Sequence, residues 1–347
     1  MINLTSSSHL WLIIGIIALA AILTAIITGW LRRYALARDL VDIPNRRSSH
    51  SIPTPRGGGV SVVLTFTAGL PLVWWINDLA VNIPAALLGA GAMVALVGFL
   101  DDQGHIPVRW RLSVHFLAAI WVLAWMGGLP PLVFFGRIIE LGLAGNVLAA
   151  LYLVWLLNLY NFMDGIDGIA GMEALTVCLG VAVLYGFTLP EAGDWVVPLL
   201  MACAVAGFLV WNFPLAKIFM GDAGSGFIGI ILGAMSIHAA WLNPGFFWAW
   251  LILLGAFIVD ATVTLARRGL RGEKIYEAHR SHAYQHAARK YGSHIPVTLA
   301  FAGINLVWLF PLALLVALDR LDGIVGVAIA YAPLVAAAFW FKAGMRE

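Results

Sequence analysis

Residues 158–171 read NLYNFMDGIDGIAG and bring the carboxamides of Asn158 and Asn161 together with the carboxylates of Asp164 and Asp167 at the end of an apolar run. A charge near hydrocarbon costs about 2.5–3.5 kcal/mol on insertion scales, so acids in such a place are kept mainly for function. GFLDDQGH, with Asp101 and Asp102, and FMGDAGSG, with Asp222, repeat the pattern elsewhere. Asn161, Asp164 and Asp167 recur at every third residue, which predicts one slowly rotating helical stripe. Gly165 and Gly168 would loosen that helix or let a ligand approach its backbone. Adjacent helical residues diverge by about 100°, so Asp101 and Asp102 divide between a metal and a second role. Asp222 either caps the helix that follows it or stands beside backbone N–H groups suited to a phosphate. Five clustered carboxylates repel one another unless a cation joins them. Oxygen donors favour a hard ion, and Mg²⁺ takes only one or two protein carboxylates, leaving water and phosphate oxygens to complete its shell. Not all five aspartates can therefore be ligands.

A second set of side chains suits anions. In residues 277–292, EAHRSHAYQHAARKYG, His279, His282 and His286 fall at helical spacing with Arg280 among them. Arg56 precedes Gly57-Gly58-Gly59, and Arg109 and Arg111 follow Asp101-Asp102 closely. Arginine offers a planar fork to phosphate oxygens, and histidine can donate to them as well. A zinc site lacks cysteines and an H-E-x-x-H pattern. An amphipathic helix lying on anionic lipid accounts for some of the arginines. An acid cluster suited to Mg²⁺ beside Arg and His groups fits phosphoryl transfer between a phosphate-bearing lipid and a soluble donor, a reaction that needs positioning and charge neutralisation above all.

The elements that carry these residues are hydrophobic. The chain is 62% hydrophobic and only 11% charged, with a mean hydropathy of +0.92; an average soluble domain carries about 25% charge. Eleven apolar runs, near 10–31, 57–76, 83–100, 112–129, 146–163, 170–188, 195–213, 224–241, 246–265, 297–318 and 323–341, are each long enough to span a core of about 30 Å as helix. The expected fold is one all-α polytopic membrane domain over residues 1–347. Eighteen of the 20 Lys and Arg lie in alternate loops and the C-terminal tail, with only Arg137 and Arg320 on the other side. The positive-inside rule then puts the N-terminus outside, the C-terminus in the cytoplasm, and every motif above on the cytoplasmic face. Loops 32–56, 101–111, 214–223 and 266–296 form that face. The net charge of +2 is no nucleic-acid signal. Residues 130–145, PPLVFFGRIIELGLAG, predict a small external hairpin. The first run lacks a basic leader and is followed by Arg32-Arg33, which reads as an uncleaved helix. Cys178 and Cys203 sit inside apolar runs and behave as small hydrophobes.

At these residues the chain resembles the polyprenyl-phosphate N-acetylhexosamine-1-phosphate transferases, the superfamily that includes the phospho-MurNAc-pentapeptide translocases. The resemblance rests on the aspartate pair after the third run, N-x-x-N-x-x-D-G-x-D-G after the fifth, M-G-D-x-G-S before the eighth and a His-rich loop before the tenth. It implies transfer of a sugar 1-phosphate from a UDP-N-acetylhexosamine to undecaprenyl phosphate at the bacterial inner membrane, with release of UMP. Mg²⁺ is the implied cofactor, with Mn²⁺ able to substitute, and a homodimer is compatible with it. On this resemblance Asp222 binds the metal with Asn161 as a second contact, and Asp101 and Asp102 serve lipid-phosphate activation and metal or substrate positioning. Asn158, Asp164 and Asp167 belong to the nucleotide-sugar pocket with Arg56, Arg109, Arg111 and His279, while His282 and Arg280 are the catalytic loop pair. Residues 42–59 and 277–289 look most like the branch that initiates O-antigen with UDP-N-acetyl-deoxyhexosamines such as UDP-FucNAc or UDP-QuiNAc. Arg109, Arg111 and HRSHAYQH depart from the lysine and triple-histidine patterns of the translocases, against a peptide-bearing substrate. Direct attack by the lipid phosphate and a covalent phosphosugar–aspartate route both remain open. The rival classes are an ion-coupled transporter, for which Asp260 in the ninth run is the best residue and otherwise a partner for loop arginines, and an intramembrane aspartyl protease.

Overall fold

Apolar runs of this length satisfy their backbone in hydrocarbon through hydrogen bonds within the segment, and the computed structural model is helical along nearly all of them. It describes residues 6–44, 52–104, 106–189, 193–274 and 279–345; Arg46, Arg47 and Arg346, counted above toward the basic face, and Glu277 lie outside the described residues. The elements are α1 (Ser6–Ala37), β1 (Val41–Asp42), β2 (Thr54–Pro55), α2 (Val60–Asn77), α3 (Asn82–Gln103), α4 (Val108–Met126), β3 (Leu132–Phe134) and β4 (Arg137–Ile139). There follow α5 (Gly142–Met163), α6 (Ile169–Thr188), α7 (Val196–Asn212), α8 (Asp222–Leu242), α9 (Pro244–Leu253), α10 (Gly255–Leu270) and α11 (Ala283–Tyr291). A span of α12 (Ile295–Ile304), a π turn (Asn305–Leu309) and α13 (Phe310–Ala317) then precedes α14 (Gly323–Trp340).

Each of the eleven apolar runs is occupied by helix. Among the described residues eight helical segments are long and apolar enough to cross a membrane, and α9 with α10, bent by 68°, would make a ninth span. The two other runs hold α4, which opens with Arg109 and Arg111, and the shorter α7. Trp11 and Trp30 are both strongly exposed on α1. Nineteen residues of helix place them about 28 Å apart, close to the thickness of a bilayer core, where tryptophans collect at the two interfaces. This is the architecture of a polytopic membrane protein.

The buried centre is α8, whose side chains from Ala223 to Ile237 are all shielded. It packs chiefly on α3 and α5, while α1 packs on α7 and α2. Close approach is the reason for several glycines: a Cβ on Gly98 would lie 2.6 Å from the carbonyl carbon and oxygen of Asp222. The expected hairpin is present as β3–β4, pairing Leu132 with Ile139 and Phe134 with Arg137. Trp248 Nε1 donates to Val133 O (2.8 Å) and ties it to α9. Both cysteines are free.

Two helical expectations fail. α5 stops at Met163, so Asp164 terminates it and Asp167 lies in the turn before α6. Gly168, at φ 74°, provides the left-handed residue that lets the chain turn, and its N–H donates to Asn212 Oδ1 (2.9 Å). No stripe of Asn161, Asp164 and Asp167 therefore forms. Likewise His282 caps the start of α11 and His279 lies outside it, so the three histidines do not share a helical face. The rings of His279 and His282 instead stack at 4.8 Å.

Candidate active site

The end of α3, the start of α8 and residues 55–59 are tied together at one face of the bundle. Phe219 N donates to Pro55 O, Gly58 N to Phe219 O and Gly59 N to Met220 O, each at 2.8 Å. Gly221, at φ 80°, then turns the chain into α8. Asp102 accepts from the backbone N–H of Asp222 (3.0 Å) and of Ala223 (3.2 Å). The cap, one of the two roles open to Asp222, is thus supplied from another helix. This also accounts for acids at the C-terminus of α3: the carboxylate that opposes the dipole of α3 favours the positive end of α8.

Relieved of capping, Asp222 turns toward Asp101, with which it is within hydrogen-bond reach, and toward Asn161. Arg111 Nη1 pairs closely with Asp101 Oδ2 and lies 3.7 Å from Asp222 Oδ2. Ile106 N donates to the other oxygen of Asp101 (2.8 Å). Across the cluster, Arg56 lies 3.7 Å from Asp102 and 3.6 Å from Asp42. Burial works against the charge on Arg56, but the carboxylates of Asp222, Asp102, Asp42 and Asp164 outweigh it and hold its pKa above the usual value. Burial also pushes Asp164 up to about 7, with the field of Asp222 adding to the effect and Arg56 opposing it.

Among the described residues no three His, Cys, Asp or Glu groups form a metal cage. Mg²⁺ does not require one. Asp101 and Asp222 are two carboxylates that share Arg111 Nη1, the Nδ2 of Asn161 donates to Ser225 Oγ (3.1 Å), and among the described residues no group donates to its Oδ1. All three residues, with Arg111, His115 and Asn158, border a cavity of about 20 Å³, room for one water-sized occupant. An all-oxygen donor set around so small a space fits Mg²⁺.

Asp167 does not join this cluster. It lies 3.2 Å from His294 Nδ1, and its carbonyl accepts from Thr298 Oγ1 (2.8 Å). With Phe219, Gln285, Arg289 and His294 it lines a separate cleft of about 510 Å³. His282 is buried and 3.4 Å from Asp260. Asp260, expected to partner the loop arginines, instead caps α11 by accepting from Ala283 N and Tyr284 N at 2.9 Å each. His279 is driven down to about 3 by burial, with His282 and Arg268 adding to it, so it is neutral and its Nδ1 faces the Ser281 hydroxyl at 3.1 Å. The carbonyl of Arg280 receives Arg289, and Arg109 is exposed over the Trp110 ring. Among the described residues His282 thus lies against Asp260 and His279 against Ser281, within the loop and its neighbouring helix.

Four residues went unnoticed in the sequence: His115, Tyr284, Gln285 and His294. His115 had a signal, since it follows Arg111 by four residues and shares its helical face. Tyr284 Oη donates to Phe162 O (3.1 Å) and ties α11 to the end of α5. That long-range contact has no mark in local sequence.

Residues 84–240 match the glycosyl transferase family 4 model, a stretch that contains Asp101, Asp102, Asn161, Asp164, Asp167 and Asp222. The chain is 29% identical over 238 residues to the decaprenyl-phosphate N-acetylglucosaminephosphotransferase of Mycolicibacterium smegmatis, covering 64% of this chain and 58% of that one. It is 28% identical over 267 residues to a probable undecaprenyl-phosphate N-acetylglucosaminyl 1-phosphate transferase of Bacillus subtilis, covering 75% and 72%. A third relative, the undecaprenyl-phosphate alpha-N-acetylglucosaminyl 1-phosphate transferase of Thermotoga maritima, is 26% identical over 221 residues, covering 62% and 63%. The chain thus spans under two thirds of the length of the mycobacterial and Thermotoga relatives. With the motifs in order, residues 84–240 of the chain belong to glycosyl transferase family 4.

Proposed function

We propose that the protein transfers an N-acetylhexosamine 1-phosphate from a UDP-sugar to a polyprenyl phosphate, undecaprenyl phosphate in a bacterial inner membrane, releasing UMP. One observation carries the reading: the Asp101–Asp222 pair, shared by Arg111 and beside the Arg56–Asp102 pair, borders a small cavity, and the chain holds a separate cleft of about 510 Å³. The cleft is of a size to take a nucleotide, and Phe219 and Asp167 in its wall offer a ring face and a hydrogen-bond acceptor for a base. The positive-inside count turns this face to the cytoplasm, where UDP-sugars are made, and the eleven apolar runs are taken as eleven spans.

In the reaction an oxygen of the lipid phosphate forms a bond to the β-phosphorus of the donor, and the bond to the bridging oxygen breaks so that UMP departs. A phosphate monoester has its second pKa near 6, so the acceptor is mostly dianionic at neutral pH and needs little help from a base. Asp101, Asp222 and Asn161 would hold Mg²⁺, for which Mn²⁺ can substitute, and the ion offsets phosphate charge when bound. Arg111 and Arg56 lower the repulsion between the two anions. Both oxygens of Asp102 are engaged by the start of α8, which favours direct attack over a covalent intermediate on that residue. Asp102, and Asp260 through α11, are positioning residues, and His282 and Arg280 act through the loop they shape. With Asp260 given over to α11, the transporter reading loses its residue.

The donor is UDP-GlcNAc, as the names of the relatives suggest, or a UDP-N-acetyl-deoxyhexosamine, as residues 42–59 and 277–289 suggest, and the product would begin a lipid-linked surface polysaccharide. Mass spectrometry of lipid extracted after incubation with undecaprenyl phosphate and each UDP-sugar tests this. A polyprenyl diphosphosugar from one donor supports the reading, and unmodified lipid with every donor would sink it.

A further inference from the structure

His115 lies one turn beyond Arg111 on α4, is 6% exposed, and borders the small cavity together with Asp101, Arg111, Asn158 and Asp222. The side chain of Asn158 fixes its protonation pattern. Nδ2 of Asn158 donates to Val154 O (2.7 Å), which settles the orientation of that amide, and the same nitrogen lies 3.3 Å from His115 Nδ1. An amide nitrogen can only donate, so Nδ1 accepts and the ring proton resides on Nε2. Among the described residues no group accepts a hydrogen bond from Nε2. Nε2 is thus a donor open to an acceptor that enters the cavity, and the neighbour already there, Arg111, is a residue type that recognises phosphate.

We propose that His115 Nε2–H binds one oxygen of the lipid acceptor's phosphate, an atom of a size that the cavity admits, working beside Arg111; this rests on the transferase reading above. The walls here favour the lipid over the nucleotide sugar as the source of that phosphate. Val94, Val97 and Leu157 make the cavity apolar away from the acids. On the same helix as His115, Phe116, Leu117 and Ile120 are exposed, as befits a lipid-facing surface. The cleft of nucleotide size lies elsewhere, with no lining residue in common with this cavity.

The test compares His115→Leu, His115→Gln and His115→Asn in detergent-solubilised full-length protein. Affinity for undecaprenyl phosphate is measured by thermal stabilisation and native mass spectrometry, and affinity for UDP-GlcNAc by calorimetry. A hydrogen bond to a charged oxygen corresponds to about tenfold or more in affinity. His115→Leu should therefore weaken acceptor binding by about tenfold or more and leave donor affinity within about twofold. Glutamine places an amide N–H near the position of Nε2 and should hold acceptor binding within about threefold, whereas asparagine, whose N–H falls nearer Nδ1, should behave like leucine. If leucine fails to fold, the contrast of glutamine with asparagine decides. Acceptor binding unchanged in leucine or asparagine, or a parallel loss of donor affinity, overturns the proposal. Turnover by the unaltered protein tests the transferase reading separately, because the binding ratios do not depend on it.

Discussion

Asp260 is buried in α10, and its carboxylate accepts from Ala283 N and Tyr284 N at 2.9 Å each and from Thr264 Oγ1 at 3.1 Å. These bonds hold the first turn of α11, which carries Gln285 and Arg289 into the wall of the large cleft. Asp260→Ala removes the cap and leaves two backbone donors unpaired. A lost cap costs about 0.5–2 kcal/mol and each hydrogen bond to a charged acceptor about 1.5–3 kcal/mol. The terms overlap, so a net cost of about 3 kcal/mol is reasonable, which raises the open population of α11 by roughly 100-fold. Hydrogen exchange followed by mass spectrometry should show faster exchange across residues 283–291, with α3 and α8 unaffected. The KM for the UDP-sugar should rise while the acceptor KM holds. Asp260→Asn keeps one carbonyl acceptor and should fall between. Unchanged exchange across 283–291 in Asp260→Ala would refute the reasoning, since it would mean that α11 is held by packing rather than by this carboxylate.

Other expectations can be checked by spectroscopy and titration. A methyl on Gly98 meets the backbone of Asp222, which cannot yield as a flexible side chain would; Gly98→Ala should lower stability by about 1–3 kcal/mol and cut turnover at least about tenfold, seen as a depressed Tm and slower UMP release. Asp164 has its folded-state pKa raised from 3.8 to about 7, so the neutral form is favoured and its contribution to stability is present at low pH and lost as pH rises toward 7. In metal-free buffer the stability of the protein relative to Asp164→Asn should therefore fall between pH 4 and pH 7 and level off above, whereas parallel pH curves would contradict the assignment. Arg111→Gln withdraws the cation that pairs with Asp101 and approaches Asp222; calorimetry should show tighter Mg²⁺ or Mn²⁺ binding although turnover falls by about tenfold or more.

The membrane character and the identity of the acidic residues were legible in the sequence because both rest on local chemistry: apolar runs of bilayer length, and charges where hydrocarbon makes them costly. The β3–β4 hairpin was legible for the same reason, from two short β-prone runs around Gly136. What failed depended on where a helix ends. A period of three suggested a stripe through Asp167, but Gly165 and Gly168 end α5 before it, and the turn sends Asp167 to His294 instead. That Asp101 and Asp102 would face different partners was expected from their angular separation. That Asp102 would cap α8 was not, because the bond joins residues 120 positions apart. His282 was read among the groups for phosphate and lies buried 3.4 Å from Asp260, a placement that only the packing of α10 on α11 creates.

The most direct test of the central claim is UMP release by purified protein supplied with Mg²⁺ and a panel of UDP-N-acetylhexosamines, with and without undecaprenyl phosphate, in parallel with Asp222→Ala and Asp101→Asn. The account predicts UMP from one donor, dependent on both lipid and metal, and lost in the two variants although they stay folded. UMP released at full rate without lipid, or undiminished in Asp222→Ala, would contradict it.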